Sequence, residues 1–230
     1  MNKITTLRWF DILIITFIMF FLAIYSSTLQ YFALSNEMVS LDENLSFSPS
    51  DNYIAILTEF FYLVLVYFYL KFRKFDFSVF TNRIKFNLKA LFQGILIFIF
   101  IATIFDLYFI LISCFLEPIN LKADAVNLVK FDMSIILFAL INGFFEEIFF
   151  LGICLFVKKE YIKFAFLYSL IIRFSFHTYQ GVETAFVIGF VLGYIFYLLY
   201  GRIKNLVPFF VAHSIGDMIG VSMWFFMLLN

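Results

Sequence analysis

The residues best suited to chemistry are a few ionisable side chains inside long apolar runs. Glu146 and Glu147 are adjacent, His177 follows, and His213 and Asp217 are four residues apart. The two histidines are the only ones in the chain. Ionisable side chains at membrane depth are expensive, so their presence indicates a function. A carboxylate and a histidine can activate a water molecule, and a further polar pair can stabilise an oxyanion.

The spacing of these residues limits how they can be arranged. His213 and Asp217 share one face of a helix. Glu146 and Glu147 lie about 100° apart around a helix, so only one of them can point squarely into a shared cavity. Two neighbouring carboxylates in a low dielectric need a cation nearby, and Arg173, one turn before the first histidine, is available. The alternative for all of these groups is that they form interhelical hydrogen bonds.

Other conspicuous polar residues have simpler interpretations. Glu59, Asp106 and Glu183 are each isolated within the sequence, which favours roles in helix packing or at span boundaries. Cys114 and Cys154 lie in apolar runs without the spacing of metal ligands, so they are predicted to be inert buried residues.

Composition indicates the elements that must position these groups. Hydrophobic residues make up 64% of the chain and charged residues 14%, whereas soluble domains have about 45–50% and about 25%. The chain is therefore predicted to be an all-α, polytopic transmembrane helix bundle, with residues 1–230 forming a single integral membrane domain. Its formal net charge of zero gives no reason to expect a nucleic-acid partner.

Apolar runs of the length needed to span a bilayer occur about seven times. They cover approximately 10–34, 53–70, 90–115, 133–157, 164–179, 183–201 and 207–229. Separations of 12, 14 and 9 residues from the nearest basic loop residue place Glu146, His177 and His213 about 18, 21 and 14 Å deep. The fourth, fifth and seventh spans therefore carry a carboxylate and two imidazoles in one layer near the middle of the bilayer.

Basic residues predict the orientation. Thirteen of them fall on one side of this seven-span arrangement: Lys3, Arg8, Lys71, Arg73, Lys74, Arg83, Lys85, Lys89, Lys158, Lys159, Lys163, Arg202 and Lys204. The other side has only Lys122 and Lys130. This asymmetry predicts a cytoplasmic N-terminus and an external C-terminus.

Three motifs in order resemble those of the CAAX-protease and bacteriocin-processing (CPBP, or Abi) family of intramembrane proteases. Glu146–Gly152 resembles Glu-Glu-x-x-x-Arg-Gly, and Phe176–Gly181 resembles an aromatic-rich motif with His followed by Tyr-Gln-Gly. His213–Asp217, preceded by Asn-Leu-Val-Pro, resembles His-x-x-x-Asn/Asp. The resemblance covers about residues 132–225, which would form the catalytic core.

The resemblance implies a role for each matching position. Glu146 would activate the water and His177 would assist it. His213 and Asp217 would line the oxyanion site, while Glu147 would support the first glutamate. These five residues are the predicted catalytic set.

The chain departs from the family pattern at two positions. The motif arginine is replaced by Leu151, and Arg173 stands where the family has a phenylalanine. We hypothesise that Arg173 supplies, from the fifth span, the countercharge that position 151 no longer provides. Loss of the motif arginine also leaves open a catalytically silent relative.

The metal requirement stays open at this point. No cofactor is needed if Glu146 activates water directly, whereas Glu146, His177 and His213 would be the ligands of a divalent metal such as zinc. The chain lacks the His-Glu-x-x-His helix of many zinc proteases.

The function expected from these observations is that of an intramembrane endopeptidase in the cytoplasmic membrane. Its partners would be the lipid bilayer and a membrane-associated peptide or small membrane protein, as in bacteriocin immunity or peptide-signal processing. A non-catalytic membrane scaffold that regulates partner proteins is the first alternative. A proton-coupled carrier that uses the acid–histidine set as a relay is the second.

Overall fold

The computed structural model describes residues 3–35, 48–115 and 132–220. Helices dominate the described residues, which contain no β-strand. Seven main helices follow one another: α1 Trp9–Ser35, α2 Pro49–Phe72, α3 Leu88–Phe115, α4 Met133–Glu147, α5 Ile162–Phe176, α6 Val182–Ile203 and α7 Val207–Ile219. The predicted all-α membrane helix bundle is confirmed.

Five of the described helical stretches are long and apolar enough to cross a membrane. They are α1, α2, the Leu88–Leu107 part of α3, α4 with its extension to Leu155, and α6. Helix α7 is a shorter apolar helix, and α5 has 15 residues. The chain is thus a multi-pass membrane protein, while the predicted seven spans and cytoplasmic N-terminus stay predictions. Lys122, Lys130 and the end of the seventh predicted span lie outside the described residues.

Local sequence signals set where the helices begin. Helix α2 begins with a capping box in which the Ser48 hydroxyl accepts from the Asp51 backbone N–H at 3.3 Å, and the Asp51 carboxylate accepts from the Ser48 N–H at 3.0 Å. Asp132 caps α4 by accepting from the Ser134 N–H at 3.1 Å. Before α6, Gly181 has a φ of 91°, a conformation that glycine adopts without strain.

Two helices widen into π-helical segments. Helix α4 continues beyond Glu147 as a π-helix over Ile148–Gly152, and α6 is π-helical over Val187–Leu192. Such segments are rare and are found frequently at functional sites. The first of them begins directly after the glutamate pair.

Helices α4 and α7 approach each other closely at Gly143. A Cβ atom at this position would lie 2.5 Å from the Ser214 hydroxyl oxygen and 2.9 Å from the Phe210 carbonyl oxygen. Only a residue without a side chain fits at this distance. The contact brings the C-terminal end of α4 beside the middle of α7.

The basic residues fall into four segments of the sequence, 3–8, 71–89, 158–163 and 202–204, and these segments lie at one end of the bundle. Ile4 donates its N–H to the Lys74 carbonyl at 3.1 Å, which ties the N-terminal segment to the chain after α2. Leu7 is bonded at 2.6 Å to the segment that follows α4. The connection between α6 and α7 lies at the same end, because the Leu206 N–H donates at 2.8 Å to the carbonyl of Arg83, which lies between α2 and α3.

Candidate functional site: a buried acid–histidine cluster

The glutamate pair at the end of α4 is divided between two environments. Glu146 lines a cavity of about 1020 Å³ in the bundle, whereas Glu147 is fully buried and does not line it. This difference follows from the angle of about 100° between neighbouring helical residues. The Glu146 Oε2 atom is buried and has no hydrogen-bond partner among the described residues.

Arg173, near the end of α5, is the cation for Glu147. Its Nη2 lies 2.7 Å from Glu147 Oε1 and 2.9 Å from Oε2. The guanidinium carbon is 4.2 Å from the centre of the Phe150 ring, which adds a cation–π contact. The structure therefore places Arg173 against the glutamate pair, and its importance for activity stays a prediction.

His213 on α7 connects the two glutamates. Its Nδ1 lies 2.7 Å from Glu147 Oε1, and because a carboxylate only accepts, this nitrogen carries the proton. The opposite nitrogen, Nε2, is 3.7 Å from Glu146 Oε2 and 3.5 Å from Asp217 Oδ1. Asp217 is in turn fixed by the Asn142 amide, which donates to Oδ2 at 2.8 Å.

His177 directly follows the last residue of α5 and lines the same cavity. Its Nδ1 donates to the Arg173 carbonyl oxygen at 2.7 Å, since a carbonyl only accepts. In the neutral imidazole, Nε2 is then an acceptor for a water or a substrate N–H. The ring is further held by Phe176, whose ring centre is 4.2 Å away.

The structure thus brings all five predicted catalytic residues and Arg173 into one region. It also adds Asn142 and Glu59, which line the same cavity. The sequence predicts a role for Glu59 in helix packing or at a span boundary. The structure adds that Glu59, although isolated in the sequence, lines the cavity together with Glu146. The sequence did contain a signal that Glu59 and Glu146 lie at a similar depth. Glu59 is 12 residues from Lys71, and Glu146 is 12 residues from Lys158.

Leu151, at the position of the motif arginine, is buried in an apolar cluster that includes Phe196 and Leu206. Position 151 therefore supplies no cation, and the cation beside Glu147 is Arg173 of α5. Within the described parts of the chain, no group of three His, Cys, Asp or Glu side chains is arranged to hold a metal ion. The metal set suggested by the resemblance does not fit this arrangement.

The fold and the buried site define a multi-pass membrane protein with an acid–histidine cluster. Residues 129–219 match the family model described as "Type II CAAX prenyl endopeptidase Rce1-like". This match confirms the resemblance to the CPBP proteases inferred from the three motifs. The matched segment contains the predicted catalytic residues and Arg173, but not Glu59. No curated protein and no solved structure gives a significant match to the chain.

Proposed function

We propose that the protein is an intramembrane endopeptidase of the cell membrane that hydrolyses a membrane-associated peptide or a small membrane protein. One observation carries this proposal. The Glu146 carboxylate lines the cavity with an unpartnered oxygen 3.7 Å from the His213 imidazole, within a segment that matches an endopeptidase family. Processing of a peptide signal or a bacteriocin is the expected setting.

In the proposed reaction, Glu146 acts as the general base. It takes a proton from a water molecule, and the water oxygen attacks the carbonyl carbon of the scissile peptide bond. The carbonyl oxygen becomes an oxyanion in the tetrahedral intermediate. As the C–N bond breaks, Glu146 returns its proton to the leaving nitrogen, which yields a carboxylic acid and an amine.

The two histidines support this step in different ways. In its doubly protonated form, His213 donates from Nε2 to the oxyanion, while Glu147 holds its Nδ1–H in place. Asp217 faces the same nitrogen and helps to orient it. His177, with Nδ1 bonded to the Arg173 carbonyl, offers Nε2 as an acceptor that positions the water.

The test compares the peptides of the cell envelope and the culture medium between wild-type, deletion and Glu146→Gln strains by mass spectrometry. New peptide termini present in the wild type and missing from both mutants are expected. Glu183→Gln is the matched control, because Glu183 is exposed and does not line the cavity. This control strain should retain the wild-type termini.

A non-catalytic scaffold is the second candidate, and the burial of Leu151 at the motif-arginine position favours it. A scaffold needs the fold but not the Glu146 carboxylate. If the Glu146→Gln strain matched the wild type while the deletion strain differed, the scaffold would replace the endopeptidase as the function.

Chelation gives an independent test of the mechanism. Because water activation is assigned to Glu146 without a metal, purified protein treated with a divalent-metal chelator should keep its cleavage rate. The measurement is the cleavage rate before and after chelation. Inactivation by the chelator, with recovery on adding zinc, would contradict the metal-free mechanism.

A further inference from the structure

Glu59 on α2 lies outside the segment that matches the family, yet it shares the cavity with the catalytic set. The residue is only 9% exposed, and its Oε2 atom has no hydrogen-bond partner among the described residues. It is close enough to interact electrostatically with Glu146, Asp217 and His213. The proposed water-activation chemistry assigns no role to this carboxylate.

The positively charged side chains that line the cavity form no hydrogen bond with Glu59, and the buried Nη1 atom of Arg173 has no hydrogen-bond partner among the described residues. Arg173 is the only arginine among the described lining residues, which include no lysine, and its Nη2 contacts both oxygens of Glu147. The Nδ1–H of His213 donates to Glu147, and its Nε2 lies near the carboxylates of Glu146 and Asp217. None of these bonds reaches Glu59.

The acidic side chains lining the cavity therefore outnumber its cations. They come from three helices: Asp51 and Glu59 from α2, Glu146 from α4 and Asp217 from α7. A buried carboxylate without a partner is costly, and a ligand that carries a positive charge relieves that cost. A neutral apolar ligand leaves it in place.

We propose that Glu59 binds a cationic group of the substrate, either a lysine or arginine side chain or a free α-amino group. This inference rests on the proposed endopeptidase function and narrows its substrate class to membrane peptides with a positive charge near the bond that is cut. Glu59 is a specificity-determining residue, because it selects the substrate without taking part in bond cleavage.

Binding to a catalytically disabled protein tests this inference separately from cleavage. The protein is Glu146→Gln in lipid nanodiscs, and the probes are fluorescent apolar peptides of about 20 residues. In one set a single lysine occupies each position in turn, and in the matching set a glutamine does. For at least one position, the lysine peptide is expected to bind at least about tenfold more tightly than its glutamine counterpart.

Adding Glu59→Gln should abolish that preference, whereas Glu59→Asp, which keeps the charge, should retain part of it. Adding Glu183→Gln is the matched control and should leave the preference intact, since Glu183 is exposed. Size-exclusion profiles establish that each variant is folded.

Two results would overturn the inference. One is equal binding of the lysine and glutamine peptides at every position, which would mean that the cavity does not recognise a positive charge. The other is a lysine preference that survives Glu59→Gln. Either result can occur whether or not the wild-type protein cleaves peptides, so failure of this inference is distinguishable from failure of the proposed function.

Discussion

At the scale of single residues, the Glu147–Arg173 pair connects the two halves of the site. Glu147 accepts from both Arg173 and His213, each at 2.7 Å, and both partners of the ion pair are almost fully buried. Removing one partner of a buried ion pair leaves an uncompensated charge, which costs about 3–5 kcal/mol. The pair therefore affects both the stability of the bundle and the position of His213.

Replacing Arg173 by leucine should lower the free energy of unfolding by about 3–5 kcal/mol and abolish cleavage. The double variant Glu147→Gln/Arg173→Leu removes both charges and should recover much of the stability, but not the activity. Denaturant titration in detergent gives the first quantity, and a peptide-cleavage assay gives the second. Equal destabilisation in the single and double variants would show that charge is not the cause.

The position of the cation can be tested by moving it. Leu151→Arg in the Arg173→Leu background restores a positive charge at the motif-arginine position, four residues after Glu147. Partial recovery of cleavage is the expected result of the same assay. If the double variant is folded and still inactive, the countercharge hypothesis for Arg173 is wrong.

At the scale of helices, the site depends on how closely α4 and α7 approach. Gly143 is one turn before Glu147 on α4. On α7 it lies against Phe210 and Ser214, and Ser214 is the neighbour of His213. A wider spacing between these helices would lengthen the bond from His213 to Glu147. Small displacements of reacting groups lower rates strongly.

Gly143→Ala should lower the cleavage rate by at least about tenfold, because the added methyl group forces α4 and α7 apart. Its cost in stability should be about 1–3 kcal/mol. Gly201→Ala in α6 is the matched control, since a Cβ there meets nothing within 4 Å. The comparison requires cleavage rates and unfolding curves for both variants, and similar rates in the two would contradict a positioning role for Gly143.

Sequence patterns predicted the helices, because hydropathy marks the long apolar runs, whereas the depth of the polar residues in the membrane stays a prediction. They did not predict which side chains meet laterally. Glu59 was therefore missed as a cavity residue, although its depth matches that of Glu146. The π-helical segment after Glu147 was missed as well, since a change in hydrogen-bond register leaves the apolar run unbroken.

At the scale of the whole molecule, the cavity and the basic end lie in opposite halves of the bundle. Helix α2, whose C-terminal end adjoins the basic segments, lines the cavity only from Asp51 to Tyr62. Helix α7, which begins at the basic end, lines it only from Ala212 onwards. If the basic end faces the cytoplasm, as the charge asymmetry predicts, the cavity lies in the outer half of the membrane.

Cysteine labelling decides this orientation. Ser50 and Lys158 are both exposed, and the 24 residues of α2 place Ser50 about 36 Å from the basic end. In intact cells, a membrane-impermeant maleimide should label Ser50→Cys but not Lys158→Cys, while opened cells should give labelling of both. Wild-type protein, which carries the two native cysteines Cys114 and Cys154, sets the background. Labelling of Lys158→Cys alone in intact cells would reverse the orientation and move the cavity, with the proposed cation-binding Glu59, to the cytoplasmic half.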